Sequence, residues 1–398
     1  MQIANPTRKP SGQRFSLFQL GFRPFFLGGS VFAIISIATW LLVLAGYTKS
    51  TSHISASQWH SHEMLYGYGM AIIAGFLLTA VRNWTNLPTP TKLPLALLFS
   101  SWLLARLINL LPDHAFTLLA MCLDIGFGLW LVAAVAMPII KSKQWAQLAM
   151  VTKLTLLLTG NLLFYLGVLK VFASGVMLSQ WIAIVLMLSL ILMIGRRVIP
   201  FFIERGVGYP IKLKQSKWVD ISIMLAFVGW LVSLLATLPM LGAISCALIF
   251  ILNSYRLAYW HTTGIWKVPL LWSLYSAMWL INIGFLFTAL QTILAYPYTW
   301  GLHVFTIGGI GLMTVAMMAR VSLGHTGRDI RNPPKMASWI FGLIVAAVIF
   351  RVFLPMWMPD LYQTWLVISG IIWCLAFTLF VMTYAAILIK PRVDGLDG

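Results

Sequence analysis

Acidic side chains are nearly missing from this chain: Asp and Glu together number nine in 398 residues, and charges of either sign make up 9% of it. With 60% of the residues hydrophobic, polar groups could not cover the surface of a water-soluble globule, and that class is excluded. Cysteine is scarcer still. Cys122, Cys246 and Cys374 each sit inside an apolar run with no Cys-x-x-Cys spacing, which argues against a disulfide framework or thiolate metal site and for small core residues. No small-residue cleavage site precedes the first apolar run, so that run is expected to remain as a helix. The tail Gly395-Leu396-Asp397-Gly398 carries no anchor motif. Histidine, at seven, is sparse enough for each position to be weighed.

What the chain has instead is long apolar runs. A hydrocarbon core about 30 Å thick needs about 20 helical residues. About twelve segments of that kind can be marked, at 25–46, 64–83, 93–111, 116–139, 148–170, 178–199, 218–237, 239–258, 269–294, 300–320, 337–355 and 361–389. The expected fold is an all-α, polytopic transmembrane bundle, with Pro239 marking the turn between its two most closely spaced helices. The polar stretch Arg196 to Lys217 lies at the midpoint and suggests two six-helix halves, 1–195 and 218–398, joined by a cytoplasmic loop at 196–217. Lys and Arg concentrate on one side: Arg8, Lys9, Arg14 and Arg23 in the N-terminal tail, Lys390 and Arg392 at the other end, and most of the rest in the even-numbered connections. Both termini are therefore expected in the cytoplasm. The net charge of +18 then reflects topology and lipid headgroups, and no nucleic-acid role is expected.

The densest chemistry stands at Trp59-His60-Ser61-His62-Glu63-Met64-Leu65-Tyr66-Gly67-Tyr68-Gly69, where two imidazoles and a carboxylate meet an apolar run. Such groups are costly in lipid and mark a candidate site. On an α-helix His60 and Glu63 share a face at i, i+3, whereas His60 and His62 point about 200° apart and do not easily bind one ion together. One can ligate a metal while the other serves a different cofactor or a proton path. His303 is the natural partner: it precedes Gly308 by five residues, as His62 precedes Gly67, and falls at the same outer depth in the expected topology. The strips Gly67, Ala71, Gly75 and Gly301, Gly308, Gly311 let either a neighbouring helix or a flat macrocycle approach the backbone. Interfacial hydrogen bonding is the plain alternative for each histidine.

On the inner side, His261 and His325 mark a second candidate cofactor position, whereas His53 and His114 read as solvated loop residues. Arg106, Asp124 and Arg351 are charges inside apolar spans; Arg106 with Asp124 is the expected internal ion pair. Arg23 and Arg197, each close to Pro-Phe-Phe, and Arg320 at the inner end of the His303 helix are candidates for holding an acidic cofactor edge, with snorkelling as the alternative.

Several blocks, in order, resemble the NnrS family: Gly21-Phe22-Arg23-Pro24-Phe25-Phe26-Leu27; His60 to Gly67 followed by Ala74 to Val81 and Asn83-Trp84-Thr85; Arg197-Val198-Ile199-Pro200-Phe201-Phe202; and Arg320 to Arg328. The resemblance runs from about Gly21 to Lys390. It implies a twelve-span bacterial inner-membrane protein with haem and copper, tied to nitric oxide and denitrification. The chain departs from the family pattern at Tyr275, where a histidine often follows Leu-Leu-Trp. The expected function is a haem-binding redox protein of nitric oxide metabolism, a quinol-dependent reductase of nitric oxide to nitrous oxide. Haem b and copper are the expected cofactors, at His60, His62 and His303, and Glu63 is the expected catalytic proton carrier. Two alternatives stand beside it: a twelve-span secondary transporter, and a haem-bearing sensor or assembly factor without turnover. A haem-copper oxidase site is not expected, because the chain has no adjacent His-His pair.

Overall fold

The structure is a computed structural model that describes residues 15–47, 54–111 and 114–396. Arg8, Lys9, Arg14, Lys49 and His53 lie outside the described residues, as does the side chain of His114. Helix makes up 82%, with no strand among the described residues. The helices are α1 Phe22–Leu44, α2 Ala56–Thr85, α3 Lys92–Ile108, α4 His114–Lys141, α5 Leu148–Val168, α6 Gly175–Gly206, α7 Lys217–Leu235, α8 Pro239–Trp260, α9 Pro269–Leu294, α10 Thr299–His325, α11 Met336–Trp357 and α12 Tyr362–Ile389. Eleven are long and apolar enough to cross a membrane, and α3, at 17 residues, is about 25 Å long. The chain is a multi-pass membrane protein.

Two boundaries differ from the sequence reading. A capping box opens α2 early: Ser55 Oγ accepts from Gln58 N at 3.3 Å, and Ser55 N donates to Gln58 Oε1 at 3.1 Å. His60 and His62 are therefore already helical. At the other end of the first half, α6 runs on past Arg196, which stays on the helix and bonds Asp220 Oδ2 at 3.0 Å. Arg196, Arg197 and Glu204 are thus helical residues, not loop residues.

By internal packing the chain forms two compact units. The first comprises residues 1–186, 318–330 and 377–398. Within it α1 lies on α2: Phe22 N donates to Thr79 Oγ1 at 3.1 Å, and a Cβ on Gly75 would sit 2.9 Å from the Phe26 ring. The buried Arg23 closes the end of α12 by donating to the carbonyls of Leu388 at 2.8 Å and Lys390 at 2.7 Å. Buried in apolar surroundings, α2 is an inner helix, with 78% of its apolar window covered, against 17% for α7.

The second unit comprises residues 187–317 and 331–376. Its core includes Trp230, Phe285 and Phe305, with ring centroids 5.4 and 4.9 Å apart along the series. A polar seam crosses it: Arg256 Nη1 donates to Asp220 Oδ1 at 3.1 Å, Arg256 Nε to Asn253 Oδ1 at 3.0 Å, and Asn253 Nδ2 to Asn282 Oδ1 at 3.3 Å. Arg256 lies inside α8 and is buried; the Asp220 carboxylate and the Asn253 amide make that burial tolerable.

Three stretches widen from α to π geometry: Glu63–Gly69 in α2, Val304–Gly311 in α10 and Ile349–Phe353 in α11. The first two begin on the residue after His62 and His303 respectively. Such single-turn widenings are rare and frequent at functional sites.

Candidate functional site

In the first unit, α2, α3, α4 and α5 bring seven polar side chains together where the sequence is otherwise apolar. His62, Glu63, Arg106, Asn109, Asp124 and Asn161 are all at most 5% exposed, and Tyr165 is fully buried. Glu63 is the hub. Arg106 Nη1 donates to its Oε2 at 2.9 Å, Asn109 Nδ2 donates to its Oε1 at 3.1 Å, and His62 Nδ1 stands 2.9 Å from the same Oε1. Arg106 Nη2 also forms an ion pair with Asp124 Oδ2, to which Tyr165 Oη donates at 3.0 Å. Asn109 Nδ2 donates to Tyr165 Oη at 3.0 Å. The other imidazole nitrogen, Nε2, lies 2.9 Å from Asn161 Oδ1 and 3.7 Å from Asp124 Oδ2.

The Arg106–Asp124 pair matches the sequence expectation, but the partner of Glu63 does not. An α-helical wheel puts Glu63 on the His60 face; the carboxylate instead turns to His62 and α3, because the π stretch starting at Glu63 breaks the regular step of about 100° per residue. His60 stacks on Trp40 at 4.6 Å and 16°. The split between the two imidazoles is therefore real, and His62 is the one inside the network. Asn109, Asn161 and Tyr165 were missed; two amides inside or at the end of apolar spans were the available signal.

Charge and hydrogen-bond capacity do not close. Glu63 and Asp124 carry two negative charges against the one positive charge of Arg106, so a single proton brings the buried cluster to neutrality. Both ring nitrogens of His62 face side-chain oxygens, Glu63 Oε1 and Asn161 Oδ1. Asp124 Oδ1 is buried and accepts no hydrogen bond among the described residues. The formal charges of the cluster leave one carboxylate charge without a cationic partner of its own.

Gly67 makes room for it. A Cβ there would lie 2.6 Å from the Phe32 ring and 2.9 Å from Glu63 Oε2. The glycine strips are filled in this way throughout: Gly75 by Phe26, Gly301 by Phe287, Gly308 by Leu280 and Gly311 by Trp373, each with a side-chain atom within 3.2 Å of a built Cβ. They serve side-chain packing, the plainer of the two sequence readings.

A family model described as NnrS protein matches residues 16–392. The chain belongs to the NnrS family. A comparison with curated proteins found no match. Membership fits a membrane protein connected with nitric oxide.

The remaining candidates of this NnrS-family chain are placed separately. His303, in the second unit, donates from Nδ1 to the Thr299 carbonyl at 2.7 Å, which puts its proton on Nδ1 and the lone pair on Nε2. His261 Nε2 accepts from Trp266 Nε1 at 3.1 Å. His325 ends α10 with its ring 5.7 Å from Phe22, and Arg392 Nη1 donates to its carbonyl at 2.9 Å. Arg197 is exposed on α6 and Arg320 is half-buried. Tyr275, at the position of the family departure, donates its hydroxyl to Leu257 O at 2.9 Å.

Proposed function

We propose that this chain is a haem-binding redox protein of the bacterial cytoplasmic membrane that reduces nitric oxide to nitrous oxide with electrons from membrane quinol. The supporting observation is the buried His62–Glu63–Arg106–Asp124 cluster at the start of a π stretch, one proton short of neutrality. Coupling two nitric oxide molecules takes up two electrons and two protons and yields one nitrous oxide and one water. Supplying those protons inside lipid needs a buried titratable chain.

The donor chemistry sorts the imidazoles. His303 would hold haem iron through Nε2, since its Nδ1–H is spent on a backbone carbonyl. His62 does not fit in this arrangement, because a metal would have to displace Glu63 or Asn161 from a ring nitrogen. We assign it to the proton path and assign copper to His60, which lies against Trp40 outside those hydrogen bonds. Haem or copper, when bound, would supply a redox-active Lewis acid for nitric oxide. The chain itself holds the proton between His62 Nδ1 and Glu63 Oε1, keeps it dry with Phe164 stacked 4.1 Å from the His62 ring, and steadies the carboxylate with Arg106.

The test is the purified protein, expressed with adequate haem. A Soret band, anaerobic consumption of nitric oxide with a quinol donor, loss of the band in His303→Ala and retention of the band with turnover about a hundredfold lower in Glu63→Gln are expected. A wild-type chain with no Soret band sinks the proposal.

A further inference from the structure

Within the second unit, a groove of about 610 Å³ is lined by His261 and Trp266 at one end, by Trp272, Tyr275, Ser276 and Trp279 along α9, and by Gly342 on α11. From Trp272 to Ile283 its α9 wall runs about 17 Å along the helix axis, from the start of the span toward its middle. The aromatic rings form a continuous wall: His261 lies 6.0 Å from Tyr275, and Tyr275 lies 6.5 Å from Trp279 at 78°. A Cβ built on Gly342, which also lines the groove, would meet nothing within 4 Å, so the groove has open space at α11.

We infer that this groove binds the headgroup of a quinone or quinol, which deepens the redox reading above and rests on it for its purpose. The walls suit a planar ring, since indole and phenol faces favour offset or edge contacts with a flat partner. The polar groups suit two carbonyl or hydroxyl oxygens. His261 accepts from Trp266 at Nε2, which leaves its proton on Nδ1 as a donor, and Ser276 supplies a hydroxyl. Tyr275 presents only its ring, its hydroxyl being held by Leu257 O. None of the lining residues is Lys or Arg, so nothing here would hold the propionates of a haem or a soluble anion. A lipid tail would have no use for the imidazole. Trp266 is 53% exposed, and a ligand reaching it from the membrane must itself be hydrophobic. Oxidation of a quinol at this position releases two electrons and two protons and leaves the quinone; these are the two electrons and two protons that the coupling of two nitric oxide molecules takes up.

The experiment uses the full chain in detergent with decylubiquinone as the probe and no nitric oxide, so it reads the site apart from turnover. Binding is followed by tryptophan fluorescence, and an azido-quinone analogue is photolabelled and mapped. Gly342→Leu, which grows into open space, and His261→Ala are each expected to weaken binding about tenfold, with label on the α9 segment 272–283. Wild-type affinity in both variants, label confined to other segments, or equal competition by decane lacking a headgroup would overturn the assignment. A chain that binds the quinone but shows no Soret band keeps the groove and loses the redox reading.

Discussion

Arg106 holds two buried carboxylates at once, and replacing it with Met tests whether the cluster is governed by charge. Its side chain is 1% exposed; it reaches Glu63 Oε2 at 2.9 Å and pairs with Asp124, which are 0% and 1% exposed. Breaking one buried pair by removing a partner costs about 3–5 kcal/mol, because a charge is left uncompensated. Arg106→Met leaves two, so the loss is expected at the top of that range or beyond. Neutralising the whole group reverses the sign of the argument: Glu63→Gln, Arg106→Met and Asp124→Asn together remove every fixed charge, and the triple variant should recover to within about 1 kcal/mol of wild type. Glu63→Gln alone leaves one carboxylate facing one guanidinium, so it should be far milder than Arg106→Met. Steric-trap unfolding in bicelles measures all three. Wild-type stability in Arg106→Met, or a triple variant no better than the single one, would refute the reasoning and reassign the cost to packing.

Gly67→Ala places a methyl 2.9 Å from Glu63 Oε2 and 2.6 Å from Phe32, and overpacking of this kind should cost about 1–3 kcal/mol by the same assay. Outside the membrane, Arg392 holds the Asp394 carboxyl below its ordinary 3.8 through bonds of 2.9 and 2.6 Å. A lowered folded value means the contact is at full strength above that ordinary value and fades as the pH falls through the shifted one, so amide exchange over residues 390–396 should rise below about pH 4 and lose this step in Arg392→Gln.

The twelve helices, eleven of them long enough to span, were legible because apolar length is the main requirement for crossing lipid, and even the tight turn at Pro239 shows in the sequence. The Arg106–Asp124 pair was legible for the opposite reason, since a lone charge in such a span demands a partner. Glu63 was legible as a candidate site residue but misassigned in its contacts. A wheel assumes one step per residue, and nothing in Glu63-Met64-Leu65-Tyr66-Gly67-Tyr68-Gly69 announces that the step changes there. Arg23 shows another limit. Its proximity to Pro-Phe-Phe suggested a cofactor edge, but its guanidinium is spent on carbonyls more than 360 residues away, a partnership that local spacing does not encode.

The π stretches themselves explain why polar groups collect where they do. A widened turn misaligns the backbone carbonyls at its ends, and in lipid a misaligned carbonyl must find another donor. Each stretch has one at hand: Trp102 Nε1 donates to Gly67 O at 3.0 Å, Thr314 Oγ1 to Ile310 O at 2.7 Å, and Ser369 Oγ to Ala347 O, just ahead of the third stretch, at 2.7 Å. Neighbouring side chains thus compensate a geometry that the helix alone would abandon. Two of the three widenings accompany a polar side chain turned inward: Glu63 toward Arg106 in the first, and the buried Arg351 over Tyr362 in the third. Because the first two widenings start directly after His62 and His303, each unit fixes its imidazole on regular helix and begins its distortion one residue later. A histidine held that way keeps a defined ring orientation while the residues beyond it are free to leave the α-helical register. A rigid imidazole beside a displaced carboxylate suits the proton path proposed above for His62 and Glu63.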